Sequence, residues 1–213
     1  MKRGTKDTKT LVDERSCATP SKNKENTNTL RNKKVDSIVG RQECALVIID
    51  VQDKLMSVIA DKENTLSNII RLVKICHLTD IPIVVTEQEK LGNTVVEIKK
   101  ELSAETAIQK VHFNCFSCKD FAEQIEKMGR KTLILTGVEA HICVTQTALH
   151  ALPFYNVQIV SDAVSSRLTD NRGIAFQRMR DAGAAITSTE MFIYEIIQKA
   201  GTDEFRSVLP LVK

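Results

Sequence analysis

From residue 44 onward, unbroken apolar runs are repeatedly followed by apolar positions at helical spacing. The run 44–49 (CALVII) has no polar alternation, which suits a central parallel strand covered on both faces. Leu66, Ile69, Ile70, Val73 and Cys76 then predict a helix over 64–79. The run 81–86 (IPIVVT) predicts a strand with Pro82 near its start, where a missing N–H does least harm. A polar loop (87–93), a short helix (94–102) and a short strand (107–110) follow. Ser117 and Asp120 have capping spacing for a helix that turns Phe121, Ile125 and Met128 inward and stops at Gly129. Residues 132–135 predict a strand broken by Gly137, with helical spacing from Ile142. The last third reads as a strand (157–161), a loop (162–170) and a helix (171–182) with Ile174, Ala175 and Met179 on one face, closed by Gly183. A strand (184–187) comes next, then a helix ending at Gly201, with Thr187 and Glu190 as its capping box. Strands alternating with helices predict a three-layer α/β/α fold. It is doubly wound and Rossmann-like, with a parallel sheet of about six strands.

In such sheets ligands bind beyond the carboxyl ends of the strands. Three reactive residues fall at those ends: Asp50 after the first strand, Lys110 after the third and Cys143 after the fourth. Each has a plain structural alternative: a helix cap, a solvated lysine, a core cysteine. Their joint placement favours a cluster of base, cation and thiol. Cys143 stands near the first turn of a helix, where unpaired N–H groups and the positive dipole end are expected to lower a thiol's pKa.

The stretch 111–118 (VHFNCFSC) offers His112, Cys115 and Cys118 as metal ligands. Structural zinc wants four ligands in paired spacing, and the later candidates His141, Cys143 and His150 form no such pair. The thiols are therefore read as passengers and no metal is expected. Phe113 and Phe116, with Gln88, are candidates for the core or a substrate pocket. Neither GxGxxG nor GxxxxGK[ST] is present, so no nucleotide cofactor is indicated.

Charge changes the picture only when divided. The net +3 separates into +5 over residues 1–40 and −2 over the remainder. Residues 1–40 are Lys-, Asn-, Thr- and Ser-rich without periodicity, and read as a disordered basic tail preceding a domain over 41–213. The acids scattered in the tail argue against a standard mitochondrial presequence, although organellar targeting by the tail stays open. The slightly acidic domain gives no reason to expect nucleic acid as a partner. With no long apolar run and no signal-type h-region, a soluble, cytoplasmic protein with no membrane partner is expected. Its six cysteines then read as reduced thiols.

Several pieces together resemble one superfamily: LVIIDVQDKL (46–55), IVVTEQ (83–88), QKVHFNCF (109–116), LTGVEAHICVTQTAL (135–149), VSDAVSSR (160–167) and RMRDAGAAITSTEMFIYEI (178–196). The chain is similar to the isochorismatase-like cysteine hydrolases. These include nicotinamidases, N-carbamoylsarcosine amidohydrolases and isochorismatases, and the likeness is strongest to a subgroup known only as isochorismatase-domain proteins. The resemblance covers the domain and leaves out the tail. It implies Asp50 as general base and acid, Lys110 as electrostatic partner and Cys143 as nucleophile. It also implies a cis peptide between Val138 and Glu139, with the N–H groups of Glu139 and Cys143 as an oxyanion hole, and a homo-oligomer, dimer or tetramer.

Nicotinamidases place an Asp-x-His pair and a further His as metal ligands after the first strands. Residues 51–106 here hold only His77, so neither the metal nor nicotinamide is implied. The reaction expected is cleavage of a small molecule's C–N (amide-type) bond through a thioester. Two alternatives stay open. One is enol-ether hydrolysis by Asp50 acid catalysis. The other is a non-catalytic binding or redox-sensing module built on Cys143.

Overall fold

The apolar run at the head of the domain becomes β1 (Cys44–Ile49), in which every residue is buried. A computed structural model describes residues 38–103 and 105–212 of the chain, and the tail expected over 1–40 lies almost wholly outside them. Parallel partners flank β1: β2 (Ile83–Gln88) on one side and β4 (Thr132–Val138) on the other. Beyond them lie β3 (Ile108–Lys110), β5 (Asn156–Ser165) and β6 (Ala185–Thr187), giving the order β3-β2-β1-β4-β5-β6. This is the doubly wound arrangement expected from the alternating pattern, with the strand order reversing between β1 and β4.

Alternate residues of β1 enter two cores. Leu46 and Ile48 pack with Ile69, Leu72, Val73 and Cys76 of α2 (Lys62–Leu78), with Ile98 of α3 (Val96–Lys99) and with Phe192 and Ile196 of α7 (Thr189–Ile197). Ala45, Val47 and Ile49 pack on the opposite face with Phe121 and Ile125 of α4 (Lys119–Met128), Ala148 of α5 (Thr145–Ala151) and Met179 of α6 (Thr169–Asp181). One short helix, α1 (Asp53–Met56), follows β1. The last, α8 (Asp203–Val212), returns Val208 to the first core.

The structure corrects several expectations. Gly137 does not end β4 but lies inside it at φ 111°. A Cβ there would come within 2.1 Å of the Ile49 carbonyl, so the glycine lets the ends of β1 and β4 touch. β5 runs on to Ser165, because an irregularity opposite Leu135–Gly137 absorbs polar residues that read as loop. Within it, the Asp162 carboxylate accepts from the Thr189 N–H (2.8 Å) and hydroxyl (2.9 Å) at the start of α7. The cap of α7 is Ser188, one residue later than expected, and the helix stops at Gln198 (φ 58°) rather than at Gly201. Ser117 belongs to a 3₁₀ turn, and Cys118 stands at the N-cap of α4. Gly129 ends α4 in the left-handed conformation as read. No helix among the described residues is long and apolar enough to cross a membrane.

Candidate active site

Asp50 follows the last residue of β1 in a left-handed conformation, φ 53°, which aspartate tolerates better than most side chains. Its N–H donates to the Thr86 carbonyl of β2 (3.2 Å). The side chain is fully buried, and both carboxylate oxygens have donors. The Thr86 hydroxyl donates to Oδ1 at 2.8 Å, and Lys110 Nζ donates to Oδ2 at 2.7 Å.

Lys110 closes β3, and its side chain is completely shielded from solvent. Nζ also donates to Gln88 Oε1 (2.8 Å) and to the His112 carbonyl (3.2 Å), and lies 3.9 Å from Cys143 Sγ. Burial works against the ammonium charge and is the largest single influence, but the charge and hydrogen bond of Asp50, together with the Cys115 and Cys143 sulfurs, outweigh it, and the lysine pKa is raised. A buried ammonium with a carboxylate and two oxygen acceptors has the partners that such a charge requires.

Cys143 reaches this pair from β4. The Val138–Glu139 peptide is cis, and a five-residue π turn, Ala140–Val144, leads into α5. Glu139 is 3% exposed. Its carboxylate accepts from the Arg167 N–H (3.1 Å) and Nη1 (3.2 Å), with His141 Nδ1 3.5 Å away. The Glu139 carbonyl takes the Ile142 and Val144 N–H groups (3.1 and 3.3 Å), and Thr145 Oγ1 closes on the Ala140 carbonyl (2.6 Å). The segment carrying the thiol is thus clamped at both ends.

One electrostatic expectation is reversed. The Cys143 thiol is pushed up, not down. Burial is the largest cause and the Asp50 charge the next, while Lys110 pulls the other way and loses. A hydrogen bond to the Asp50 carboxylate also favours the protonated thiol. The resting site therefore holds a neutral S–H beside an Asp–Lys ion pair.

Asp50, Lys110 and Cys143 come together, and Gln88 joins them through Lys110. The Phe116 ring meets Phe121 edge-on (5.1 Å) and stacks on His150 (5.1 Å) and Tyr155 (5.8 Å), against the core cluster that also holds Cys143. Phe113 is 53% exposed. Among the described residues no group of three or more His, Cys, Asp or Glu is placed to hold a metal, and the five described cysteines are free. Sequence reading passed over three supports of the site. Thr86 is a polar residue near the end of an apolar strand. Arg167 lies in the stretch 162–170 that reads as a loop. Gln52, fully buried, bonds the Gln88 N–H (2.8 Å) and the Gln88 and Gly92 carbonyls (3.0 and 2.7 Å), pinning the end of β2 to the following loop.

A doubly wound α/β/α domain with a carboxylate, an ammonium and a thiol gathered where its strand order reverses defines a class of small hydrolase domain. The match to the Isochorismatase domain family over residues 44–191 makes the assignment specific, and the chain belongs to that family. It is 36% identical over 177 residues to the secreted isochorismatase effector Isc1 of Phytophthora sojae, covering 79% of this chain and 83% of that protein. The structure of MAR1 ribonuclease from Caenorhabditis elegans matches with a TM-score of 0.77 at 33% identity, over 83% of this chain and 92% of that one. The YcaC gene product of Escherichia coli, described as an octameric hydrolase of unknown specificity, shares the fold. Its TM-score is 0.76 at 23% identity, over 81% of this chain and 89% of that one.

Proposed function

We propose that this isochorismatase-family hydrolase cleaves an amide-type C–N bond of a small molecule through a thioester on Cys143. One observation carries the reading: Lys110 Nζ sits 2.7 Å from Asp50 Oδ2 and 3.9 Å from Cys143 Sγ, with all three groups buried at the switch point of the sheet. Because the resting thiol is protonated, its proton passes to Asp50 as sulfur attacks the carbonyl carbon, not before. Lys110 stabilises the negative charge passing through the site. The N–H groups of Glu139 and Cys143 are assigned to the developing oxyanion. Asp50 then returns the proton to the leaving nitrogen, and water releases the acyl group. No bound metal takes part in this scheme.

Trapping tests it: the protein is mixed with a panel of small primary and secondary amides, acid-quenched, and weighed intact. An acyl adduct on the wild type that is missing from Cys143→Ala is the expected result. A second reading, enol-ether hydrolysis with Asp50 as acid, does not need the thiolate, but it needs Asp50, a carboxylate paired with Lys110 at rest, to take up a proton first. A folded Cys143→Ala that keeps near-wild-type turnover selects it over the thioester route. If Cys143 reacts with alkylating reagents but neither amides nor enol ethers turn over, the non-catalytic reading stands instead.

The protein is further proposed to be a homo-oligomer. Phe154 (70% exposed) and Ile174 (66%) are apolar side chains that an interface would cover. Light scattering that returns the chain mass of 23.8 kDa overturns this.

A further inference from the structure

The proposed hydrolysis uses one thiol and leaves two others unexplained on the turn beside it. Cys115 and Cys118 have C-x-x-C spacing across a 3₁₀ turn (Cys115–Ser117), and the Cys118 N–H donates to the Cys115 carbonyl at 2.9 Å. A four-residue turn closed in this way holds its first and last Cα atoms within about 7 Å. Disulfides span about 4.4–6.8 Å between Cα atoms. The two sulfurs sit in different surroundings. Cys118 Sγ lies 3.6 Å from the Gln109 carbonyl of β3, and the Cys115 thiol is held by the Thr147 and Thr86 side chains, within reach of the Lys110 charge. Their exposures differ. Cys115 is fully buried, with its N–H on Thr147 Oγ1 at 3.0 Å, whereas Cys118, at the N-cap of α4, is partly open to solvent. Spacing, a backbone turn of the right span and one accessible partner are what a thiol pair needs to cycle.

We propose that Cys115 and Cys118 form a redox-active dithiol that a hydroperoxide closes to an intraturn disulfide. Cys118 sulfur attacks the peroxide; the O–O bond breaks, one oxygen stays as a sulfenic acid and the other leaves as water or alcohol. Cys115 sulfur then attacks Cys118 sulfur. The S–O bond breaks, and the departing hydroxide takes the Cys115 proton as water. With hydrogen peroxide, two thiols and one peroxide give one disulfide and two waters. The order of events follows from access, because burial pushes the Cys115 thiol up to about 11 and leaves Cys118 to meet the oxidant first. The closed ring lies next to the ammonium of the candidate site, since the stretch leading into the turn carries the His112 carbonyl, 3.2 Å from Lys110 Nζ.

The test needs no substrate. The reduced full-length chain is titrated with hydrogen peroxide, blocked with N-ethylmaleimide in denaturant and digested with trypsin. The peptide 111–119 contains both thiols. It is expected to be the first of the described cysteine peptides to lose its label, emerging two hydrogens lighter and regaining both labels after dithiothreitol. In Cys118→Ser, Cys115 should stay fully labelled at the same peroxide dose. The proposal is overturned if the peptide keeps both labels while Cys44 or Cys76 loses its own. Joining of Cys115 to Cys143, or of Cys118 to a second chain, overturns it equally. None of these outcomes depends on whether amides are hydrolysed.

Discussion

The two faces of the central sheet are built from different materials. On the α2–α7 face, Ile69, Leu72, Ile75, Phe192, Ile193 and Ile196 make an aliphatic layer with large side chains. On the α4–α5 face, where Phe121, Ile125, Leu135 and Met179 also pack, the Cys143 turn and α5 contribute small or weakly polar residues: Ala140, Cys143, Thr145, Thr147, Ala148 and Ala151. Bulk on one side supplies burial energy. Small residues on the other let the Cys143 turn close onto the end of β1, where Gly137 already forbids a side chain. Stability and chemistry are thus drawn largely from opposite faces of the same six strands, and the separation can be tested.

The largest expected effect belongs to the site. Cys143→Ala and Asp50→Asn should each lower kcat by about 10⁴-fold or more, and the double variant should be no worse than the weaker single one, as for members of one catalytic unit. Circular dichroism should show both folded. Additive losses would separate the two residues and break the proposed unit.

Lys110→Met crosses the boundary between the two kinds of effect. It leaves the buried Asp50 carboxylate with Thr86 but no cation, so unfolding in urea should show a loss of about 3–5 kcal/mol, together with near-complete loss of turnover. A variant as stable as wild type would mean that the pair contributes to chemistry alone.

Leu72→Ala tests the opposite face. A fully buried leucine truncated in a packed layer should lose about 2–5 kcal/mol. Turnover per folded molecule should stay within a few-fold of wild type, measured below the shifted urea midpoint. A large fall in kcat at full folding would show that the faces are not separable.

The smallest effects concern pH. Burial raises Cys143, pushes Cys44 up to about 12 and carries Cys76 well above its ordinary value of 9.0. An acid whose pKa is raised on folding contributes stability that is fully present below the unfolded value and is lost as pH rises through the folded one. The urea midpoint should therefore hold between pH 6 and 8 and fall above about pH 9, where the unfolded chain's thiols ionise first. In the native state the rate of Cys143 alkylation by iodoacetamide should climb about tenfold per pH unit from 7 to 9. Cys118 should be the first described thiol to react at neutral pH. A plateau for Cys143 near pH 7 would restore the lowered thiol that the helix-end reading expected.

That reading shows where sequence was informative and where it stopped. Uninterrupted runs such as CALVII announced buried parallel strands, and the strand ends picked out Asp50, Lys110 and Cys143 before any geometry was known. Position along the chain could say which groups share an edge. It could not say how deeply each is buried or what else points at it, and those two facts set the charge state of Cys143. Gly137 misled for a related reason. A glycine just past the run Leu133–Leu135 reads as a break, whereas here its missing side chain answers to Ile49, a contact visible only once β1 and β4 lie side by side. The polar residues of β5 were hidden in the same way, because their partners, Thr189 and Asn68, come from α7 and α2. Helix α8 gave little signal because Pro210 interrupts a short amphipathic segment.

The strand order also has a consequence in time. Asp50 and Lys110 stand 60 residues apart in the chain, and Cys143 comes 33 residues after Lys110. β1 lies between β2, which follows it closely, and β4, whose Thr136 hydroxyl reaches the Val47 carbonyl across 89 residues. During synthesis, at about 5–20 residues per second, the acid emerges first, the amine next and the sulfur last. A ribosome-bound chain carries β1 with one open edge for several seconds before β4 can close it. The thiol is made only after that closing strand, so the nucleophile enters the world already next to the strand that will shelter it.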